Sequence, residues 1–184
     1  MPTTASVLRR TGGRSIKSIV YDEETIAAKV TELGAQIGVA YPDGDLLVLG
    51  LLKGSFIFLG DLVRRIERPL QVDFLVASSY GSGTTSTGNV RLLYDPETRL
   101  EGKHIVLVED IVDSGNTVRK LAALLADRQP ASLAVCALLD KVAMHEPMPE
   151  VRFVGFQAPN AFLVGYGLDH AEDFRHLPFI ADLA

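Results

Sequence analysis

The sequence is poor in the features that mark several common protein classes. It holds one cysteine, Cys136, so an internal disulfide is excluded, and a reducing, cytoplasmic setting is expected. Cys136 lies in the apolar run 133–139 and reads as a core residue rather than a nucleophile. The longest apolar stretch, about residues 46–52, is far short of the ~20 residues a membrane-spanning helix needs. There is no basic excess either. Lys and Arg total 18 against 23 Asp and Glu, a net charge of −5, which argues against non-specific nucleic-acid binding. No internal repeat and no dividing linker is visible.

What is present suits a folded domain. Hydrophobic residues make up 47% and charged residues 22% of 184 positions, outside the composition of disordered chains. That length is enough for one domain with its own core. Charge is uneven. Residues 1–21 contain four bases, Arg9, Arg10, Arg14 and Lys17, and no acid, which leaves the rest at −9 against the whole chain's −5. This Ser/Thr-rich segment has the composition of a transit peptide, but a frayed basic arm over 1–15 is the expectation. No apolar h-region follows the bases, so a secretory signal is not expected. A single domain is expected over 16–184.

Strand and helix signals alternate through that domain. Asp22 reads as an N-cap followed by acids in a first turn, with Ile26, Val30, Leu33 and Ile37 on one helical face. Residues 45–52 form a continuous apolar run, the mark of a strand buried on both faces. A helix is predicted over 55–66 and a strand over 71–79. A Gly/Ser/Thr loop follows over 81–89, then an antiparallel return over 90–94. Further strands are predicted over 104–108, 132–139, 151–156 and 162–168, with a helix over 117–126. The fold class is therefore α/β, a mostly parallel sheet flanked by helices. Ligands of such sheets bind beyond the carboxyl ends of the strands.

The densest chemistry lies over 105–118. A buried strand ends in Glu109 and Asp110, two apolar residues follow, and then comes Asp113-Ser114-Gly115-Asn116-Thr117 at the start of a helix. Small residues let backbone N–H groups converge, the helix N-terminus adds partial positive charge, and Ser114 and Thr117 add hydroxyls. That assembly suits a phosphate monoester. It lacks the Gly-Lys-Ser/Thr ending of a Walker loop. Two acids facing a phosphate would repel it, so they should face hydroxyls or a metal. A ribose 5-phosphate satisfies both halves, with its phosphate in the loop and its diol on the acids.

The string 108–117 resembles the phosphoribosyl-pyrophosphate (PRPP) motif of the purine phosphoribosyltransferases, and its Glu-Asp-Ile-Val-Asp-Ser-Gly form is similar to the hypoxanthine/guanine branch. The resemblance implies a type I phosphoribosyltransferase fold whose terminal segments form a small hood. It implies transfer of the phosphoribosyl group from PRPP to hypoxanthine or guanine, giving the nucleoside monophosphate and pyrophosphate with Mg²⁺. Glu109 and Asp110 would hold the ribose and metal. Residues 113–117 would hold the 5′-phosphate, with Asp113 as general base or as a hydrogen-bonding partner while solvent takes the proton. Lys53 and Gly54 resemble the family's pyrophosphate loop, often entered through a cis peptide, here Leu52–Lys53. Ser79 and Tyr80 resemble its closing flap. Lys141 would donate to the purine's exocyclic oxygen, Phe162 would stack on the base and the Leu163 backbone would read its edge. Asp169 resembles the ligand of a second Mg²⁺ beside the base, and Arg175 a pyrophosphate contact. A homodimer or homotetramer is implied.

Two positions depart from that pattern. Asn116 stands where many members carry lysine, so it donates to phosphate without charge. The segment 142–149 is short and holds no Arg or Lys before Arg152. The basic arm lies outside the pattern. The four histidines do not form a metal set and read as surface or packing residues. An alternative is a PRPP-sensing regulator without transferase activity, although such a sensor has no need of Asp113 or of Lys141 and Phe162. An RNA-binding pyrimidine regulator is a third reading, but it would lack the Glu-Asp and Asp-Ser pattern.

Overall fold

The computed structural model describes residues 4–79 and 90–184. In chain order the elements are α1 (Thr4–Thr11), β1 (Ile16–Tyr21), α2 (Glu23–Ala40), β2 (Leu46–Leu52), α3 (Phe56–Val63), β3 (Gln71–Ser79) and β4 (Val90–Tyr94). Then follow β5 (His104–Val112), α4 (Asn116–Ala126), β6 (Ser132–Asp140), a 3-10 turn (Val142–Met144), β7 (Val151–Gln157), β8 (Leu163–Val164) and β9 (Ile180–Leu183).

Among the described residues the main sheet runs in the order β4-β3-β2-β5-β6-β7. It is parallel except for β4, which pairs antiparallel with β3. Alternation along its strands feeds two cores. Val48, Val106, Val108, Cys136 and Leu138 pack with Ile26, Val30, Leu33 and Ile37 of α2 and with Phe58, Leu59 and Leu62 of α3. Leu47, Leu49, Ile105, Leu107, Val135 and Ala137 pack against Val118, Leu121 and Leu125 of α4. Two apolar faces per strand explain the unbroken hydrophobic runs. The Asp22 carboxylate accepts from Thr25 N–H at 2.9 Å, the expected cap of α2.

From β2 the chain winds one way, to β3. From β5 it winds the other, to β6 and β7. The strand order therefore reverses between β2 and β5, and a crevice opens outside their carboxyl ends. Both phosphate-handling segments of the sequence, 52–54 and 109–117, leave those two strands.

The terminal segments form a second sheet, β1-β9-β8, as the expected hood. Its register joins the chain ends, Ile16 to Leu183 and Tyr21 to Ile180. The basic arm expected to fray forms α1 instead. Val7 packs on the hood core of Val164, Phe174, Leu177, Phe179 and Ala181, and Thr11 is buried. The strand expected over 162–168 is only Leu163–Val164. Residues 165–167 have φ of +100°, +51° and +102° and turn the chain back on itself. Among the described residues no helix is long and apolar enough to cross a membrane.

Candidate active site

Strand β5 continues past the two acids to Val112. Glu109 and Asp110 both border the cleft beyond the strand but have different neighbours. Glu109 follows Ile105 and Leu107 toward the α4 side and is buried. Burial, then the neighbouring Asp110, pushes its carboxyl well above the usual range. Asp110 lies against Gly54, and burial raises it to about 6 despite the backbone N–H of Ile111 and the nearby Arg175. Two adjacent carboxyl groups held from water in this way favour a cation beside them.

The segment after β2 is fixed against Asp110. The peptide Leu52–Lys53 is cis, as the resemblance implied. Ser55 Oγ donates to the Leu51 carbonyl at 2.7 Å and Phe56 N–H to that of Lys53 at 3.3 Å. A Cβ on Gly54 would overlap the Asp110 carboxylate, and a Cβ on Gly167 would overlap the Gly54 carbonyl oxygen. These glycines let three segments, remote in sequence, stack without side chains between them.

The third segment carries Asp169 and Arg175. One Arg175 terminal nitrogen donates to the Gly167 carbonyl at 2.8 Å, and the other pairs with Asp169 at 2.8 Å and Glu172 at 3.4 Å. Arg175 Nε is buried without a partner in the described structure. Lys53 Nζ donates to the same Glu172 oxygen at 3.1 Å. Lys53, Gly54, Asp110, Asp169 and Arg175 are thus brought together. Glu172, which bridges the two cations, has no motif that sequence reading could have used.

Beyond β5, a cleft of about 220 Å³ is lined by Leu51, residues 109–111 and residues 113–118. Gly115, with φ +72°, leads into α4, whose first-turn N–H groups have no intrahelical partners. No hydrogen bond among the described residues engages the side chains of Ser114, Asn116 or Thr117, so their polar groups face the cleft unclaimed. Arg119 backs the loop, donating to the carbonyls of Ser114 and Glu146 at 3.3 Å each.

Lys141 follows β6. Its side chain is only 14% exposed, and Nζ lies 3.5 Å from an Asp113 carboxylate oxygen. Phe162, at the hood, is 54% exposed. Its ring meets that of His170 edge-on, 5.3 Å between centroids. Leu163 beside it is buried in β8. Ser79 ends β3, whereas Tyr80 lies outside the described residues.

One histidine exceeds the expectation of a surface residue. His145 Nε2 lies 2.7 Å from Asp140 Oδ1 and Nδ1 lies 2.9 Å from the Glu146 carbonyl, with the imidazole buried. Both neighbours accept, so the doubly protonated ring fits best. The Glu146 carbonyl first, against desolvation, and then Asp140 raise its pKa. A raised folded pKa contributes stability that is complete below the unfolded value, about 6.5, and is lost as pH climbs through the folded one. Wild type should therefore exceed His145→Gln in Tm by more at pH 6 than at pH 9. A gap independent of pH would show that the imidazolium is not the form that folds.

The chain matches the phosphoribosyl transferase domain family over residues 17–171. It is 46% identical to a hypoxanthine phosphoribosyltransferase of Salmonella typhimurium, over 88% of this chain and 92% of that protein. It is 43% identical to a hypoxanthine-guanine phosphoribosyltransferase of Bacillus subtilis, over 91% and 93%. A crystal structure of a hypoxanthine phosphoribosyltransferase from Staphylococcus aureus superimposes with a TM-score of 0.90 at 38% identity, covering 99% of this chain and 97% of the other.

Proposed function

The chain belongs to the phosphoribosyl transferase family, and from that premise we propose how its site carries out purine salvage as a hypoxanthine phosphoribosyltransferase. The enzyme transfers 5-phosphoribosyl from PRPP to hypoxanthine or guanine. A purine ring nitrogen bonds to the ribose anomeric carbon, the bond from that carbon to pyrophosphate breaks, and a five-ring proton is lost. The transferase domain is assigned to 16–184, and the assembly to a homodimer or homotetramer.

The observation that carries this reading is the Asp113–Lys141 pair, 3.5 Å apart, at the mouth of the phosphate loop. A 6-oxopurine presents a carbonyl oxygen and a five-ring nitrogen side by side on one edge. An ammonium beside a carboxylate complements that edge when the ring nitrogen carries a proton. Lys141 donates to the carbonyl. Asp113 accepts from the ring N–H and takes the proton as the new bond forms. Phe162 stacks on the base, and its solvent-exposed ring is available for this. The Leu163 backbone reads the far edge beside Asp169.

PRPP spans the crevice between β2 and β5. The backbone and side chains of 113–117 bind its 5′-phosphate, with Asn116 donating but adding no charge. Lys53, Gly54 and Arg175 bind pyrophosphate, and the unpartnered Arg175 Nε is a donor free for one of its oxygens. Ser79 and Tyr80 close over the reacting ribose and exclude water from its cation-like transition state.

The residues present fit Mg²⁺. Among the described residues no group of three His, Cys, Asp or Glu could hold a metal alone. Mg²⁺ instead keeps waters and takes one or two carboxylates together with substrate oxygens. Glu109 and Asp110 would hold the ion on the ribose side, and Asp169 a second one. When bound it neutralises charge on the departing pyrophosphate.

Mixing the protein with Mg²⁺, PRPP and hypoxanthine should release pyrophosphate and form nucleotide in equal amounts, measured by coupled assay and chromatography. PRPP binding without release would leave a sensor in place of an enzyme.

A further inference from the structure

Arg175 has an unusual setting, because the residues on either side of it are held by the N-terminal arm. The preceding residue, Phe174, has φ +74°, a backbone conformation that a bulky side chain rarely adopts and that persists only where surroundings enforce it. The hood core holds it on one side, and the arm reaches it on the other. Phe174 is buried, and the Arg14 guanidinium lies over its ring, 4.2 Å from the centroid. The same guanidinium donates to Asp173 Oδ2 at 2.6 Å and to the Thr11 carbonyl at 3.2 Å. The following residue, His176, places Nε2 3.0 Å from the Arg10 carbonyl oxygen.

The arm is itself anchored. Helix α1 ends where Gly13 N–H bonds the Leu8 carbonyl at 2.9 Å, and Val7 sits on the hood core that includes Phe174. Between these two anchored neighbours, the Arg175 side chain reaches to Asp169 and the Gly167 carbonyl, and Gly167 lies against Gly54.

We infer that the arm, through Arg14 and the Arg10 carbonyl, positions Arg175 for the pyrophosphate half of PRPP. Arg14 is a positioning residue that acts through Asp173 and Phe174. The inference rests on the transferase reading above and adds to it a role for a segment that none of its site motifs reaches. Lys141 is held at Asp113 rather than by the arm, so the arm's main effect falls on PRPP.

The test uses the full chain with Arg14→Ala, Arg14→Lys and Asp173→Asn, measuring KM for each substrate with the other saturating. Arg14→Ala should raise the PRPP KM about fivefold, modest beside the roughly hundredfold that a misplacement of ~1 Å can cost. The hypoxanthine KM should stay within about twofold, the scatter expected of a base site left in place. Arg14→Lys keeps the charge facing Asp173 but loses the flat group over Phe174, so it should fall between wild type and Arg14→Ala. Asp173→Asn should move the PRPP KM in the same direction.

KM does not depend on the amount of active enzyme. A purely structural arm would lower apparent kcat, leave both KM values unchanged and overturn the inference. Equal rises in both KM values would overturn it as well. The wild type decides the underlying reading separately. If it makes no nucleotide, the transferase assignment fails and this inference with it. If wild type turns over and the Arg14 variants keep its PRPP KM, only the inference fails.

Discussion

Asp113→Asn is expected to lower kcat by ~10²–10⁴-fold, the usual contribution of a positioned general base, while PRPP binding persists. Asparagine keeps the size of the side chain and one acceptor oxygen, so the hydrogen bond from the purine ring N–H survives. It cannot take the proton. The PRPP contacts lie mainly elsewhere, on the first-turn N–H groups of α4, on Asp110, and on the Lys53 and Arg175 side. The variant also removes the ion partner of Lys141, at 3.5 Å, from a position where Asp113 is 56% exposed. An exposed pair contributes ~0–1 kcal/mol, which cannot account for a hundredfold loss. Steady-state kcat at saturating PRPP, with PRPP affinity from direct titration, checks both halves. Near-full turnover would reduce Asp113 to a hydrogen-bonding partner and assign the proton to solvent.

The segment that holds Asp113 was legible because its signals are local. A buried strand, a run of small and acidic residues and an amphipathic helix follow one another between His104 and Ala126, and strand and helix each have their own periodicity. The same holds for α2, where Asp22 and four apolar residues announce the cap and the face, and for β2 and β6, whose unbroken apolar runs match their two buried faces. Sequence reading placed the two carboxylates at the end of β5. The strand instead carries them within it, with Asp110 against Gly54 and both acids bordering the cleft beyond β5.

The hood was not legible in detail because its order is non-local. Ile16 faces Leu183, and neither end of that pair carries a pattern that names the other. β8 is two residues long, and the apolar stretch around it reads as one strand until Gly165, Tyr166 and Gly167 reverse it. The contacts that complete the site are equally remote. Lys53 meets Glu172, and Arg14 meets Asp173, across most of the chain. Composition registers the arm only as a cluster of bases. Packing against Phe174 gives those bases their order, and that packing appears only in three dimensions.

Lys141→Ala and Lys141→Gln are expected to raise the purine KM strongly, and the glutamine variant to loosen the choice of base. The side chain is largely buried, 14% exposed, and among the described residues its ion partner is the Asp113 carboxylate. A buried carbonyl left without its donor costs ~1–3 kcal/mol, and more when the donor was charged. That corresponds to roughly 5- to 150-fold in affinity at 1.4 kcal/mol per tenfold. Glutamine can still donate one neutral hydrogen bond, so its loss with hypoxanthine should be smaller than alanine's. Adenine carries an amino group where hypoxanthine carries the carbonyl. The Lys141 ammonium has three donors and no acceptor, so two donors would face each other. Wild type should therefore reject adenine, while glutamine, able to turn its amide oxygen inward, should reject it less. Assays of adenine, hypoxanthine and guanine with wild type and both variants at saturating PRPP measure each term. If wild type uses adenine as well as it uses hypoxanthine, the 6-oxopurine assignment is wrong, and Lys141 is left as the ion partner of Asp113 alone.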